Sequence, residues 1–446
     1  MIVDHHDVRG ALWRLGAPSG LMVVADQLLG IADTIVIGAL GTAALAGITA
    51  ATSVFIVFPI GLWAFANGLR IMGAQAIGAG DPDRFGRIVR AAALAPMLVA
   101  LATALVSLVA ARPLLHLMLG AIPSSGPAAV YLTLRCFSLL PMMVSNLAIA
   151  AFGAAGRTGL GLRTLIVINV VHIPLLIVLA LGIGTHAPLG LFGAGLSSLI
   201  AECVAAGYCL RATLRRPEYR IFAERSIDFE IARAAAALSW PEFIMLVLIV
   251  VPEAITITFL APLGVVFVAA YRALTLVSDL TWSVPGSLGD AIQIVIGQRL
   301  GARDIAGARA FLSSAMRIGV AACAAVGLVF AVLAWPLSAL VTLNPALASL
   351  AAAPLALHMT TLPIKGYAMA SLSPIRAAGD TKFSMWLGII GSIVVITIIA
   401  VAIKTFHLGL YAIPIAWIIT WSLRAALTQV RLRGRDWETR RLAATA

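Results

Sequence analysis

Polar residues in this chain are confined to short stretches, and long apolar segments run between them, among them 88–111, 164–184, 315–341 and 384–403. A bilayer core takes about 20 residues of α-helix to cross. Twelve segments reach that length, near 12–38, 44–69, 88–112, 128–152, 164–184, 191–212, 236–261, 267–294, 315–342, 349–373, 384–405 and 410–430. The pattern predicts an all-α polytopic membrane protein with twelve transmembrane helices joined by short loops.

The second half of the pattern repeats the first in the same direction, 223 residues later, which is half of the 446-residue length. GAAGRT at 153–158 falls on RAAGDT at 376–381. Gln75, Gly78, Ala79 and Asp81 fall on Gln298, Gly301, Ala302 and Asp304, and Pro18 falls on Pro241. One offset fits all these regions without a gap, so each half is one six-helix bundle in a parallel repeat. In so apolar a chain, a duplicated half points to a two-lobed transporter with its path between the lobes. The expected division is an N-lobe at 1–212, a cytoplasmic linker at 213–235 and a C-lobe with a basic tail at 236–446. Small-residue spacings such as Gly16/Gly20 suit close helix packing.

Composition agrees: 61% of residues are hydrophobic and 11% charged, against roughly 45–50% and about 25% in soluble domains. The net charge of +12 does not point to nucleic acid, because arginine and lysine gather in alternate loops. Arg84, Arg87, Arg90, Arg157, Arg163, six arginines from Arg211 to Arg233, Arg299, Arg303, Arg309, Arg376, Lys382 and the tail from Arg431 to Arg441 fall on one side; Arg112 and Lys404 fall on the other. This asymmetry places both termini in the cytoplasm. The polar start, MIVDHHDVRG, lacks a basic region followed by a cleavage site, so no signal peptide is expected. Cys136, Cys203, Cys209 and Cys323 lie in apolar runs and read as packing residues rather than disulfide or metal partners. No H-E-x-x-H, G-x-S-x-G or Walker loop occurs, so neither an enzyme nor an organic cofactor is expected, and transport would draw on an ion gradient.

Several segments resemble the multidrug and toxic compound extrusion (MATE) family. Asp33-Thr34 through Gly38, Leu40 and Gly41 are similar to its first-helix D-T-x-x-x-G-x-L-G; Gln75-Ala-Ile-Gly78-Ala-Gly80-Asp81 to its Q-x-x-G-A-G-D; Arg376-Ala-Ala-Gly379-Asp380-Thr381 to its R-x-x-G-D-T. The resemblance covers nearly the whole chain. It implies two six-helix bundles forming a V-shaped cavity and export of organic compounds against a cation gradient. It also implies that Asp33 couples transport to protons or sodium, with Asn169 in the same cluster. Where the family often has a carboxylate or amide four residues after that asparagine, this chain has Ile173, with His172 beside it. One branch of the family has acids in spans seven and ten; the corresponding positions here are Ile249 and Lys365, so that carboxylate pair is absent.

Acidic side chains at bilayer depth are functional candidates, because an unpaired charge there costs several kcal/mol, on the order of 3 for Asp at a helix centre. They are Asp26, Asp33, Glu202, Glu253, Asp279 and Asp290, with Arg135, Arg272 and Lys365 as basic counterparts. Asp26 and Asp33, seven residues apart, share a helix face. Asp26 or Glu202 would supply oxygen ligands missing beside Asp33 and Asn169. An ionised carboxylate is disfavoured in an apolar bundle, which suits Asp33 to taking up and releasing a proton; a sodium site at Asp33 and Asn169 is the other reading. His172 reads either as a proton relay or as a satisfied core histidine. Lys365 is expected to pair with Glu253 or Asp279 or to be neutral, as a structural tie or as part of a substrate site that, with Arg272, favours anionic or zwitterionic compounds. Arg135 acts likewise or snorkels to an interface. Trp63, Trp240, Trp282, Trp335, Trp417 and Trp421 read mostly as interfacial anchors, with one or two at the substrate.

The expected function is cation-coupled export of small organic compounds, driven by protons rather than sodium, by a monomer in the inner membrane. Export of one endogenous metabolite, flipping of a lipid-linked precursor, and a non-transporting receptor are the rivals.

Overall fold

The computed structural model describes residues 7–120, 125–182, 187–224, 226–342 and 344–439. Arg225, the tail beyond residue 439 and the side chain of Ile249 lie outside the described residues. Among the described residues twelve helices are long and apolar enough to cross a membrane: α1 Val8–Gly38, α2 Thr42–Gly78, α3 Pro82–Leu119, α4 Ser125–Ala154, α5 Gly159–Leu181, α6 Gly190–Leu214, α7 Phe229–Leu263, α8 Val265–Gly301, α9 Ile305–Val332, α10 Pro345–Ala377, α11 Thr381–Lys404 and α12 Gly409–Arg433. The chain is therefore a multi-pass membrane protein, as its apolar pattern predicts.

Prolines interrupt these helices where a ring replaces an N–H. In α2 the helix pauses at Ile56, because Pro59 cannot donate to the carbonyl of Phe55. The ninth span starts earlier than its apolar run and stops at Val332; Ala334–Thr342, carrying Pro336 in its first turn, forms a separate short helix.

The described chain divides into two compact units. The N-terminal unit holds Leu21–Ala76 and Asp81–Trp240. Its central helix is α4, which packs against both α3 and α6. After α6 the connection is docked rather than extended. Tyr219 meets Phe85 and Phe152 edge-on, at centroid separations of 5.4 and 5.5 Å. Arg90 donates to the carbonyls of Arg220 and Ile221 at 3.1 and 3.0 Å and pairs with Glu224 at 3.0 Å. Near the end of α4, Gly153 leaves room for Arg70 of α2: a Cβ there would stand 3.7 Å from Arg70 Cδ.

The C-terminal unit holds the chain up to Gly20, Ile77–Gly80, and everything from Pro241 onward. Its central helix is α10, whose Thr361–Ala377 segment packs against α8, α9 and α12. The fourth helix of each repeat is thus its hub. Gly16 and Gly20 of α1 lie against the backbone of Ser287 and Ser283 in α8, where a Cβ would meet carbonyl oxygens at 3.6 and 3.5 Å. Arg309 of α9 grips Glu438, and the hydrogen bond from this guanidinium holds the carboxyl below the usual glutamate range.

The repeated motifs prove to be turn chemistry. Gly156 and Gly379 both take left-handed backbone, φ 76° and 82°. The N–H three residues beyond each helix end closes back, Arg157 to Phe152 and Asp380 to Ile375, at 2.8 and 3.1 Å, a Schellman closure in both halves. Asp81 caps α3 by accepting from Arg84 N–H at 2.8 Å, and Asp304 caps α9 by accepting from Gly307 N–H at 2.8 Å. The residue before each cap is left-handed: Gly80 at φ 70° and Arg303 at φ 62°. A side chain in that region is disfavoured by roughly 1–2 kcal/mol, offset in part by glycine's greater freedom when unfolded. Arg303→Gly is therefore expected to stabilise the protein by about 0.5–1 kcal/mol, read as a raised midpoint of thermal unfolding in detergent. A lowered midpoint would refute the strain argument.

Candidate functional site

In the N-terminal unit the structure brings Asp33 of α1 to His172 of α5, with Asp33 Oδ1 2.7 Å from His172 Nε2. The histidine is 3% exposed and the Asp33 side chain 28%, so the pair has one buried member and one partly exposed. With the carboxylate ionised, the imidazole N–H is the donor. Asn169 sits three residues before His172, hence on the same helix face. Its amide nitrogen donates to Leu165 O at 2.9 Å and reaches Ala25 O of α1 at 3.4 Å. Asn169 thus ties α5 to α1 and leaves its own oxygen for other use.

Around this pair stand the other expected members. Glu202 of α6 is buried, and its Oε2 has no hydrogen-bond partner among the described residues. Arg135 of α4 and Asp26 of α1 are its electrostatic neighbours. Asp26 itself is exposed, facing the field of Arg135. Arg135 does not extend to a helix end. Its guanidinium lies 4.3 Å from the centroid of the Phe55 ring, a cation–π contact. One proton moving on or off the Asp33–His172 pair would change the charge of a group held between α1 and α5.

In the C-terminal unit, Lys365 and His358 of α10, Glu253 of α7 and Asp279 of α8 line one cavity of about 160 Å³. Lys365 does not form the expected ion pair with either acid. Its Nζ donates to His358 Nε2 at 3.4 Å, while Glu253 and Asp279 act on it only as nearby charges. The two acids are contributed by other helices, whereas His358 lies on α10 itself, seven residues before the lysine. Arg272 is exposed and outside the cavity lining, though Glu253 and Asp279 feel its charge. Trp282, Trp417 and Trp421 line the cavity, whereas Trp63, Trp240 and Trp335 are exposed.

Two features escaped the sequence reading. Arg424 of α12 is a buried arginine in this cavity. Its signal was its position inside a span, three residues after Trp421 and seven after Trp417, on one helix face. The second is a buried ion pair between Arg376 of α10 and Glu242 of α7, with Nε to Oε1 at 3.2 Å. The offset of 223 points to it: Ser19 and Gly153 in the first half become Glu242 and Arg376 in the second, so two opposite charges appear together.

The site chemistry is not duplicated. At the same offset Asp33, Asn169 and His172 fall on Thr256, Ser392 and Val395, and Lys365 falls back on Met142.

Comparison with known proteins agrees with this architecture. The MatE family profile matches residues 18–178 and again 241–401, two stretches separated by the repeat offset. A probable multidrug resistance protein NorM of Rhizobium meliloti is 27% identical, over 71% of this chain and 68% of its own length. One of the same description from Aromatoleum aromaticum is 29% identical, over 74% of this chain and 73% of its own. A solved structure of a mutant of the Vibrio cholerae MATE transporter VcmN superposes with a TM-score of 0.88, covering 98% of this chain and 99% of that one at 17% identity, a likeness of fold. With the profile matching both repeats, the chain belongs to the multidrug and toxic compound extrusion (MatE) family of membrane transporters.

Proposed function

We propose that this protein is a proton-coupled exporter of small organic compounds in the inner membrane, working as a monomer with both termini in the cytoplasm. The observation that carries the coupling reading is the 2.7 Å contact between Asp33 and His172. A sodium ion needs several oxygen ligands about one point; here an imidazole nitrogen already occupies one oxygen of Asp33. A carboxylate hydrogen-bonded to a buried histidine instead makes a compact two-group proton acceptor. Proton uptake on one side of the membrane and release on the other would bias the exchange between states that bind substrate on opposite sides. The names of the similar proteins support organic compounds, drugs among them, as the cargo.

The test is dye efflux from proteoliposomes with a proton or a sodium gradient imposed separately. Proton-driven efflux is expected, and efflux driven by sodium alone would overturn this reading. His172→Gln keeps a donor toward Asp33 but removes the imidazole. It is expected to slow proton-driven efflux by on the order of tenfold, or about 1.4 kcal/mol of lost coupling, and to alter its pH profile. An unchanged pH profile would reduce His172 to a packing role.

A further inference from the structure

The cavity of the C-terminal unit is lined by an excess of donors. Arg424 is 8% exposed, yet its guanidinium makes no hydrogen bond or ion pair among the described residues. Its recorded neighbour is the Trp421 ring, whose centroid lies 4.7 Å from the guanidinium carbon. The indole N–H of Trp421, the hydroxyl of Ser278 and Nδ1 of His358 are likewise buried without partners among the described residues. Because His358 Nε2 accepts from Lys365, the proton of a neutral His358 ring is on Nδ1, so that atom too is a donor. Buried donors without acceptors are costly, and here several converge on one space.

The charges lining the cavity balance in number, two cations against two acids, but not in place. Lys365 stands in the field of both Glu253 and Asp279, so that one lysine answers two acids. Arg424 stands apart, with no acidic neighbour acting on it. Gly391 of α11 makes space for it: a Cβ there would be 3.4 Å from Arg424 Nε. The wall beside the arginine is aromatic, with Trp282 and Trp421 centroids 5.7 Å apart and Trp417 stacked on Trp421 at 6.4 Å. The volume, about 160 Å³, is close to the roughly 150 Å³ that holds one benzene ring.

We infer that this cavity is a binding site for a small aromatic acid, one ring bearing a carboxylate, with the ring against Trp282, Trp417 and Trp421 and the carboxylate on Arg424. A guanidinium fits a carboxylate in two parallel hydrogen bonds, and the indole N–H of Trp421 is a further donor in the same cavity. This extends the export reading by naming a cargo class, but the binding step needs no gradient and is tested without one.

Purified protein in lipid nanodiscs is titrated with benzoate, benzyl alcohol and benzylamine, and quenching of tryptophan fluorescence is followed. Benzoate is expected to saturate the signal and to bind more tightly than either ring without the carboxylate. Arg424→Gln should weaken benzoate about 10- to 100-fold, the worth of a hydrogen bond to a charged group, while the benzyl alcohol response stays. Thr275→Phe, which fills the cavity and leaves the guanidinium in place, should abolish binding and serves if the first variant does not fold. Asp33→Asn should still bind benzoate saturably and more tightly than benzyl alcohol, which separates loss of coupling from loss of this site. Benzoate binding no tighter than benzyl alcohol, or undiminished in both cavity variants, overturns the inference.

Discussion

Asp33→Asn is expected to cut gradient-driven efflux by roughly 5- to 150-fold while substrate binding survives. The amide keeps the size of the carboxylate and a hydrogen-bonding oxygen toward His172, 2.7 Å away in the native pair, but it cannot carry a negative charge or accept a proton at working pH. What disappears is the free-energy difference that a proton imposes on the two transport states. Coupling between two sites typically amounts to about 1–3 kcal/mol, or roughly 5- to 150-fold, and efflux under an imposed proton gradient should fall by a factor in that range. Counterflow exchange of labelled for unlabelled substrate, which needs no gradient, should persist. If the variant keeps pumping against a concentration difference, the coupling acid lies elsewhere, with Glu202 and Asp26 next in line. If counterflow is also lost, the aspartate holds the fold or the substrate rather than the proton.

A comparably large effect is expected on stability at Glu242. It is 1% exposed and hydrogen-bonded to Arg376, itself 8% exposed. Glu242→Leu strands the arginine, a change that costs about 3–5 kcal/mol in buried pairs. The lower end applies because Asp290 also acts on Arg376. Replacing both residues, Glu242→Leu with Arg376→Met, removes the desolvation penalty along with the attraction and should be milder than either single change. Thermal unfolding in detergent reads all three variants. A double variant worse than both singles would mean that the pair itself, and not the stranded charge, carries the effect.

Much of the fold was legible because bilayers act on long runs: twelve apolar segments gave twelve helices, and the single repeat offset later appeared in the paired profile match. Helix ends were less so. The positions of Pro59 and Pro336 fix where α2 pauses and where α9 gives way to a new helix, and an apolar run alone does not register them. The family motifs were legible as a resemblance, but their physical work, capping by Asp81 and Asp304 and left-handed closure at Gly156 and Gly379, shows only in the backbone. At the sites, depth in a span singled out Asp33, Glu202 and Lys365. It did not reveal which partner each would meet. Lys365 turned to His358 on its own helix rather than to an acid on another, because pairing across helices depends on rotations that no spacing within one segment encodes. Arg424 was passed over because an arginine near the end of a span reads first as a cytoplasmic anchor.

The arginine that serves each hub helix has an inheritance of its own. In the first repeat it comes from α2, as Arg70 beside Gly153; in the second it is part of α10, as Arg376 beside Glu242. A lineage drifting back, residue by residue, toward identical halves would have to change two distant positions together, since either change alone passes through a form with a stranded buried charge. The duplication has become a one-way door: its halves share a chain path and are no longer interchangeable parts, which leaves each free to acquire chemistry the other lacks.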